Sequence, residues 1–229
     1  MSRIELDRQL AELRTAVLQM GESVVDAVGQ AMEALTHPAA GGSQSFCYDH
    51  RAVDAVIAGD DTIDRECAVI EDLSARVITL QQPAVRDLRA VLAALIIAEE
   101  LERIGDHAEG IAQLTARLPQ PPDDQEVCTL TNLAALAREQ LQGALDAYRA
   151  GDATRAREVW AGDDAMDSLH SQFVQALLSR MRNDQDKVVN DTYLLWVSHN
   201  LERIADRATN ICERVVYIAT GERITESLG

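Results

Sequence analysis

Leu101-Glu102-Arg103-Ile104-Gly105-Asp106 reads LERIGD, and one hundred residues later Leu201-Glu202-Arg203-Ile204-Ala205-Asp206 reads LERIAD, in a chain of 229 residues. A second echo runs ahead of each, AGDDTID at 58–64 and AGDDAMD at 161–167. The two pairs have nearly the same offset, so the repeating unit is about half the chain. Whatever fold one half adopts, the other is expected to adopt too. Whatever the acidic motif does, it does twice.

The residues around the echoes follow a helical period. Leu10, Leu13, Val17, Val24, Val28 and Leu35 fall on one stripe at ~100° per residue, which predicts a helix over 5–35. Thr36-His37-Pro38 ends it, and Gly41-Gly42-Ser43-Gln44-Ser45 reads as a polar loop. A short helical piece over 49–58 leads to Gly59, after which Asp60 or Asp61 is expected to cap a second helix reaching Leu80. Pro83 suits the first turn of a third helix, running to about 117. The proline-rich stretch 119–125 cannot continue a helix. It reads as a linker between a first unit at 1–118 and a second at 126–229. The pattern then restarts, with a helix over 126–150, a break at Gly151-Asp152 and a short piece to Trp160. Asp163 or Asp164 is the expected cap of the next helix, and a last helix over 186–220 closes on Gly221. No stretch has useful strand periodicity. The fold class is all-α: two tandem antiparallel three-helix bundles related by internal duplication.

Composition narrows the partners. The net charge of −17 argues against nucleic acid, whose binding needs a basic face to displace counterions. It argues equally against docking on anionic lipid. No segment approaches the ~20 uninterrupted apolar residues of a membrane span, so no direct membrane insertion is expected. Cys47, Cys67, Cys128 and Cys212 show no CxxC spacing, which suggests reduced thiols and a cytoplasmic protein. No Gly-rich phosphate loop is found, and no organic cofactor is expected.

The acidic motif has a definite helical placement. Leu101, Ile104, Ala108, Ile111 and Ala112 gather on one side of the third helix, with Glu99, Glu102, Arg103 and Asp106 on the other. On the last helix, Leu201, Ile204, Ala208, Ile211 and Val215 face inward, and His199, Glu202, Asp206, Asn210 and Glu213 form an outward row. Glu22 and Asp26 on the first helix are a further ExxxD pair. Like charges at i and i+4 cost a helix about 0.2–0.5 kcal/mol, and a cation bridging neighbouring helices would reverse that sign. A solvated acidic face is the commoner outcome in an acidic protein, and Arg103 and Arg203 can neutralise their neighbours. Against this, Glu-Arg-Ile-x-Asp recurs unchanged while most of the surrounding surface differs. Asp60, Asp61 and Asp64, with Asp163, Asp164 and Asp167, read as caps and first-turn acids. His199 is an accessory ligand at most, since Glu99 is its counterpart. His107 and His170 have no evident constellation, and Trp160 and Trp196 read as core or interface residues.

Gln82-Pro83-x-x-x-Asp87-Leu88-Arg89 leading into Leu101-Glu102-Arg103-Ile104-Gly105-Asp106-His107 carries a resemblance. So do Leu201-Glu202-Arg203-Ile204-Ala205-Asp206 and its continuation Thr209-Asn210-Ile211-Cys212-Glu213-Arg214-Val215-Val216-Tyr217-Ile218-Ala219-Thr220-Gly221-Glu222. Together with Leu13, Val17, Met20 and Gly21, these resemble the PhoU family over essentially the whole chain. The resemblance implies a cytoplasmic, often homodimeric regulator rather than an enzyme. Such proteins act with the phosphate ABC transporter ATPase and a sensor histidine kinase to repress the phosphate-starvation response when phosphate is plentiful. It also implies clusters of iron or another divalent metal on paired E(D)xxxD motifs, one site per bundle. Carried over by position, the motif falls on Glu102 with Asp106 and on Glu202 with Asp206, and Glu22 with Asp26 is the expected partner pair in the first bundle. Aligning the halves puts Ala135 and Glu139 opposite Glu22 and Asp26, and Gly110 opposite Asn210, so the second site is expected to bind fewer ions or none. The loop 36–47 has no counterpart in the second half and is a candidate contact region.

Two other classes compete. A carboxylate-bridged di-iron oxidase would need Glu-x-x-His pairs aimed into the core, and none occurs. A metal-free acidic helical adaptor fits the same surface without any ligand.

Overall fold

In a computed structural model, residues 3–37, 50–162, 164–222 and 224 are described. The chain forms α1 (Arg3–Thr36), α2 (His50–Gln81), α3 (Val85–Thr115), α4 (Asp124–Ala150), α5 (Ala153–Trp160), α6 (Asp164–Asn183), a 3-10 turn (Gln185–Lys187) and α7 (Val188–Thr220). Helices α1–α3 form one bundle. In the second bundle, α5 and α6 together take the place of α2. No strand is present among the described residues. The stripes read from sequence are the core: Leu13, Val17, Val24, Val28 and Leu35 are buried on α1, Leu101, Ile104 and Ile111 on α3, and Leu201, Ile204 and Ile211 on α7.

The expected break near Gly59 does not occur. α2 runs unbroken through it, so Asp60 and Asp61 sit inside a helix rather than at its cap. A Cβ at Gly59 would meet nothing within 4 Å, so this glycine lies on an open face. Its cost to a helix is about 1 kcal/mol relative to alanine, too little to stop one anchored by buried Val53, Val56 and Ile63. The same tetrapeptide in the second half does interrupt the helix, between α5 and α6. There the chain has just turned tightly out of α4. Gly151 is left-handed at φ 66°, Asp152 N–H donates to Ala147 O and Gly151 N–H to Tyr148 O, and Asp152 then caps α5 through Thr154 and Arg155. That turn commits α5 to pack across α4 and α7, off the line of α6. Asp163 and most of the loop 36–47 fall outside the described residues.

Other boundaries have local causes. Pro83 precedes α3 rather than opening it. The reversal is made by Gln82 at φ 48°. α4 starts two residues before the expected point, because Asp123 and Glu126 form a reciprocal capping box. Glu126 also pairs with Arg180 of α6, whose Nε donates to Asp191 Oδ2 at 2.7 Å. Asp191 is fully buried in the first turn of α7, so this arginine ties three helices together. Arg3 and Asp87 make a smaller counterpart in the first bundle, at 2.6 Å. Gly221, at φ 80°, ends α7 as expected.

The bundles join along α3 and α7, the most closely knit helix pair, with α1 against α4 beside them. At Gly21 the approach of α4 is so close that a Cβ would lie 2.6 Å from Leu145 Cδ2. Along α3–α7, Glu100 Oε2 accepts from Asn210 Nδ2 at 3.2 Å and from Arg207 at 3.3 Å. His107 Nδ1 meets Asn200 Oδ1 at 2.9 Å. Glu100 and Asn200 occupy equivalent repeat positions, as do His107 and Arg207. Each residue therefore meets the partner of its own equivalent, which is the contact pattern of a two-fold axis.

Candidate metal centre

Glu102 and Asp106 lie at i and i+4 on the face of α3 that meets α2. Opposite them α2 presents Asp60, Asp64, Cys67 and Glu71, not caps but a second acidic row. Gly105 makes the approach possible, since a Cβ there would lie 3.0 Å from Asp60 Oδ1 and 3.1 Å from Ile63 Cδ1. Asp60 Oδ1 is buried with no hydrogen-bond partner. Burial, followed by the charges of Asp106, Asp64, Glu109 and Glu102, pushes the Asp60 carboxyl up to about 6. Glu102 is also raised, first by burial and then by Asp106 and Asp64, with Arg103 opposing. Cys67 is driven up to about 11, chiefly by burial with Glu71, Glu102 and Glu99 adding to it. A hollow of about 310 Å³ opens beside these groups, between Asp64, Cys67, Glu71, Glu99, Glu102 and Arg103.

The second cradle lies between α6 and α7. Glu202 and Asp206 are partly exposed on α7, and Asp206 and Glu213 line a hollow of about 620 Å³ with Asp164 and Asp167 of α6. Two differences separate it from the first. Asp206 is held by Arg203 of its own helix at 2.5 Å, and two histidines stand at its upper end. His199 Nδ1 is 3.3 Å from Glu202 Oε2, and the rings of His170 and His199 meet edge to face at 6.3 Å between centroids. The His170 imidazole is pushed down, chiefly by burial and then by His199, with Asp167 and Asp206 opposing.

The structure does not bring Glu22 and Asp26 to either cradle. Glu22 is 70% exposed and lies 3.4 Å from Arg149 of α4. Asp26 lines a groove with Arg138 between α1 and α4. α1 turns its valines toward α2 and α3, which leaves this pair on the seam between the bundles. The carboxylates that lie across from Glu102 and Asp106 are those of Asp60 and Asp64. The comparison of Glu22 and Asp26 with Ala135 and Glu139 bears on that seam, not on the second cradle. Asn210 also leaves the outward row, bonding to Glu100 across the bundles. His107 lies in the same seam, while Trp196 is 51% exposed and belongs to no core. The echo at 58–64 and 161–167 carried the missing rows, but a run of aspartates after a glycine also fits a helix cap.

The donor set suits a hard or borderline divalent cation, and the partnerless oxygen of Asp60 among like charges is where one would relieve the most repulsion. Among the described residues, no three His, Cys, Asp or Glu side chains converge on one point as they stand. Binding would therefore need side chains to turn inward.

An all-α chain of repeated bundles with an acidic row on each central helix defines a class of duplicated helical-bundle proteins. The PhoU domain profile matches residues 17–115 and again 130–215. The chain is 34% identical over 225 residues to the phosphate-specific transport system accessory protein PhoU homolog of Clostridium acetobutylicum, covering 98% of both chains. It is 34% identical to the homolog of Caulobacter vibrioides, over 95% of this chain and 90% of that one. The crystal structure of the phosphate transport system regulatory protein PhoU from Streptococcus pneumoniae aligns with a TM-score of 0.85 at 29% identity, covering 96% of this chain and 99% of that one. PhoU from Pseudomonas aeruginosa aligns with a TM-score of 0.86 at 27% identity, covering 94% and 99%. The chain belongs to the PhoU family. It is an accessory protein of phosphate transport. No helix among the described residues is long and apolar enough to cross a membrane.

Proposed function

We propose that the protein is a cytoplasmic, non-catalytic regulator that represses the phosphate-starvation response by binding the phosphate ABC transporter ATPase and a sensor histidine kinase. The observation that carries this reading is the full-length match to relatives named as accessory proteins of phosphate-specific transport systems. A homodimer fits the same reading. Iron or another divalent ion would be held by Asp60, Asp64, Glu102 and Asp106 in the first bundle, and by Asp167, Glu202 and Asp206 in the second. The ion would supply positive charge to rows that repel one another, fixing α2 against α3 and α6 against α7 and so shaping the outer face offered to a partner. The test pairs co-purification with the transporter ATPase and the kinase with a phosphatase reporter in a deletion strain. Capture of both proteins and a reporter that switches on in rich phosphate are expected. Absence of binding together with an unchanged reporter would overturn the function.

A further inference from the structure

The repeat makes the two cradles comparable position by position, and at their upper ends they differ in chemistry. With the offset of the AGDD echo, Cys67 corresponds to His170. With the offset of the LER echo, Glu99 corresponds to His199. The first cradle thus has Asp64-x-x-Cys67 on one helix and Glu99-x-x-Glu102 on the next. The second has Asp167-x-x-His170 facing His199-x-x-Glu202. Spacing of i to i+3 puts each pair on one helix face, and the ring contact of 6.3 Å shows that the faces meet.

We propose that His170, His199 and Asp167 form a nitrogen-rich site for a borderline divalent cation of the Zn(II), Ni(II) or Cu(II) class, confined to the second bundle. Glu202 sits beside Nδ1 of His199, so it fixes the ring and leaves Nε2 to a metal, the arrangement by which a carboxylate commonly orients a ligating imidazole. With this ion bound, Glu202 acts as a positioning residue, in place of the ligand it would be to an oxygen-preferring ion in the same cradle. His170 Nδ1 is buried with no hydrogen-bond partner, so its ring can turn to offer a nitrogen without breaking a bond of that atom. Two imidazoles and a carboxylate, with the fourth position left to water, suit zinc and its neighbours. The first cradle has no imidazole at these positions and is lined mainly by carboxylates, so it favours hard, oxygen-preferring ions. This site deepens the cation-binding part of the proposed function and rests on it, but it can fail separately.

The test uses full-length, tag-free protein stripped with chelator and titrated with Zn(II) alone by calorimetry. In a second arm Cu(II) is added and the emission of Trp196 is followed, since the indole lies 5.9 Å from the His199 ring. One tight zinc site per chain is expected. It should weaken about 100-fold in His170→Ala and His199→Ala, by about 10-fold in Glu202→Gln, and not at all in Glu102→Gln. In the unmutated protein, the ring nitrogens of two histidines should shift on adding zinc, and Cu(II) should quench emission that Trp196→Phe reduces in part and Trp160→Phe with Trp196→Phe abolishes, since Trp160 also lines the second cradle. Zinc binding unchanged by both histidine substitutions, with no histidine ring shift, would overturn the imidazole site. Loss of Mn(II) binding in Glu102→Gln under the same conditions would show that the carboxylate reading survives. Failure of every cation to bind either cradle would overturn both.

Discussion

Asp60→Asn should stabilise the metal-free protein at neutral pH, because it removes a partly buried charge from a row of like charges. The Asp60 carboxyl goes from 3.8 to about 6 in the folded chain, through burial first and the charges of Asp106, Asp64, Glu109 and Glu102 next. At 1.36 kcal/mol per pH unit this corresponds to at most about 3 kcal/mol of unfavourable ionisation. Solvent screening of a partly exposed group reduces it to about 1–2 kcal/mol. The folded state holds its proton more tightly than the unfolded chain, so this group's contribution is fully favourable below pH ~4 and is lost as pH rises through about 6. Asparagine has no charge to lose. Melting the chelated variant beside the parent should show a gain of about 2–8 °C at pH 7.5, shrinking to about a third near pH 4.5 and toward nothing only below pH ~4. Adding Mn(II) at pH 7.5 should reverse the order, because only the parent keeps the full acidic row. A gain that does not depend on pH, or a loss at pH 7.5, would refute the reasoning.

Arg180→Ala should cost about 3–5 kcal/mol in urea titration, because fully buried Asp191 loses its cation along with Glu126. Gly21→Ala should lower stability by about 1–2 kcal/mol: the helical gain is outweighed by pushing Leu145, 1% exposed, out of its packed position. Asp123→Ala removes the acceptor for Glu126 N–H and should cost about 1 kcal/mol, with amide exchange quickened in the first turn of α4. Glu100→Gln weakens the pairing with Arg207 across the bundles and should cost about 1–3 kcal/mol, whereas Glu22→Gln, at an exposed pair, should be silent within 0.5 kcal/mol.

The sequence carried the helices because their burial is periodic. Leu101, Ile104 and Ile111 needed only a helical wheel to be placed in the core, and Gly151 and Gly221 announced their turns through left-handed backbone. Gly59 shows where local chemistry misleads, since tertiary anchoring by Val53 and Ile63 outweighs its small cost. The candidate site was half legible. Glu102, Asp106, Glu202 and Asp206 stood out by repetition, but the row opposite them depends on which face of α2 meets α3. That is a matter of packing rather than of period. Glu22 and Asp26 satisfied the same spacing rule and fell on a different seam. His170 was invisible until the two halves were compared at their separate offsets.

The crossed contacts of Glu100 with Arg207 and of Asn200 with His107 have an evolutionary consequence. An interface in which each side meets the counterpart of itself is what a self-associating ancestor of half this length would have possessed. Fusion would make that association intramolecular and free the two lobes to differ, as the ionic Glu100–Arg207 contact and its Asn200–His107 counterpart now do. What would have been an encounter between identical molecules is here a packed seam between unlike halves.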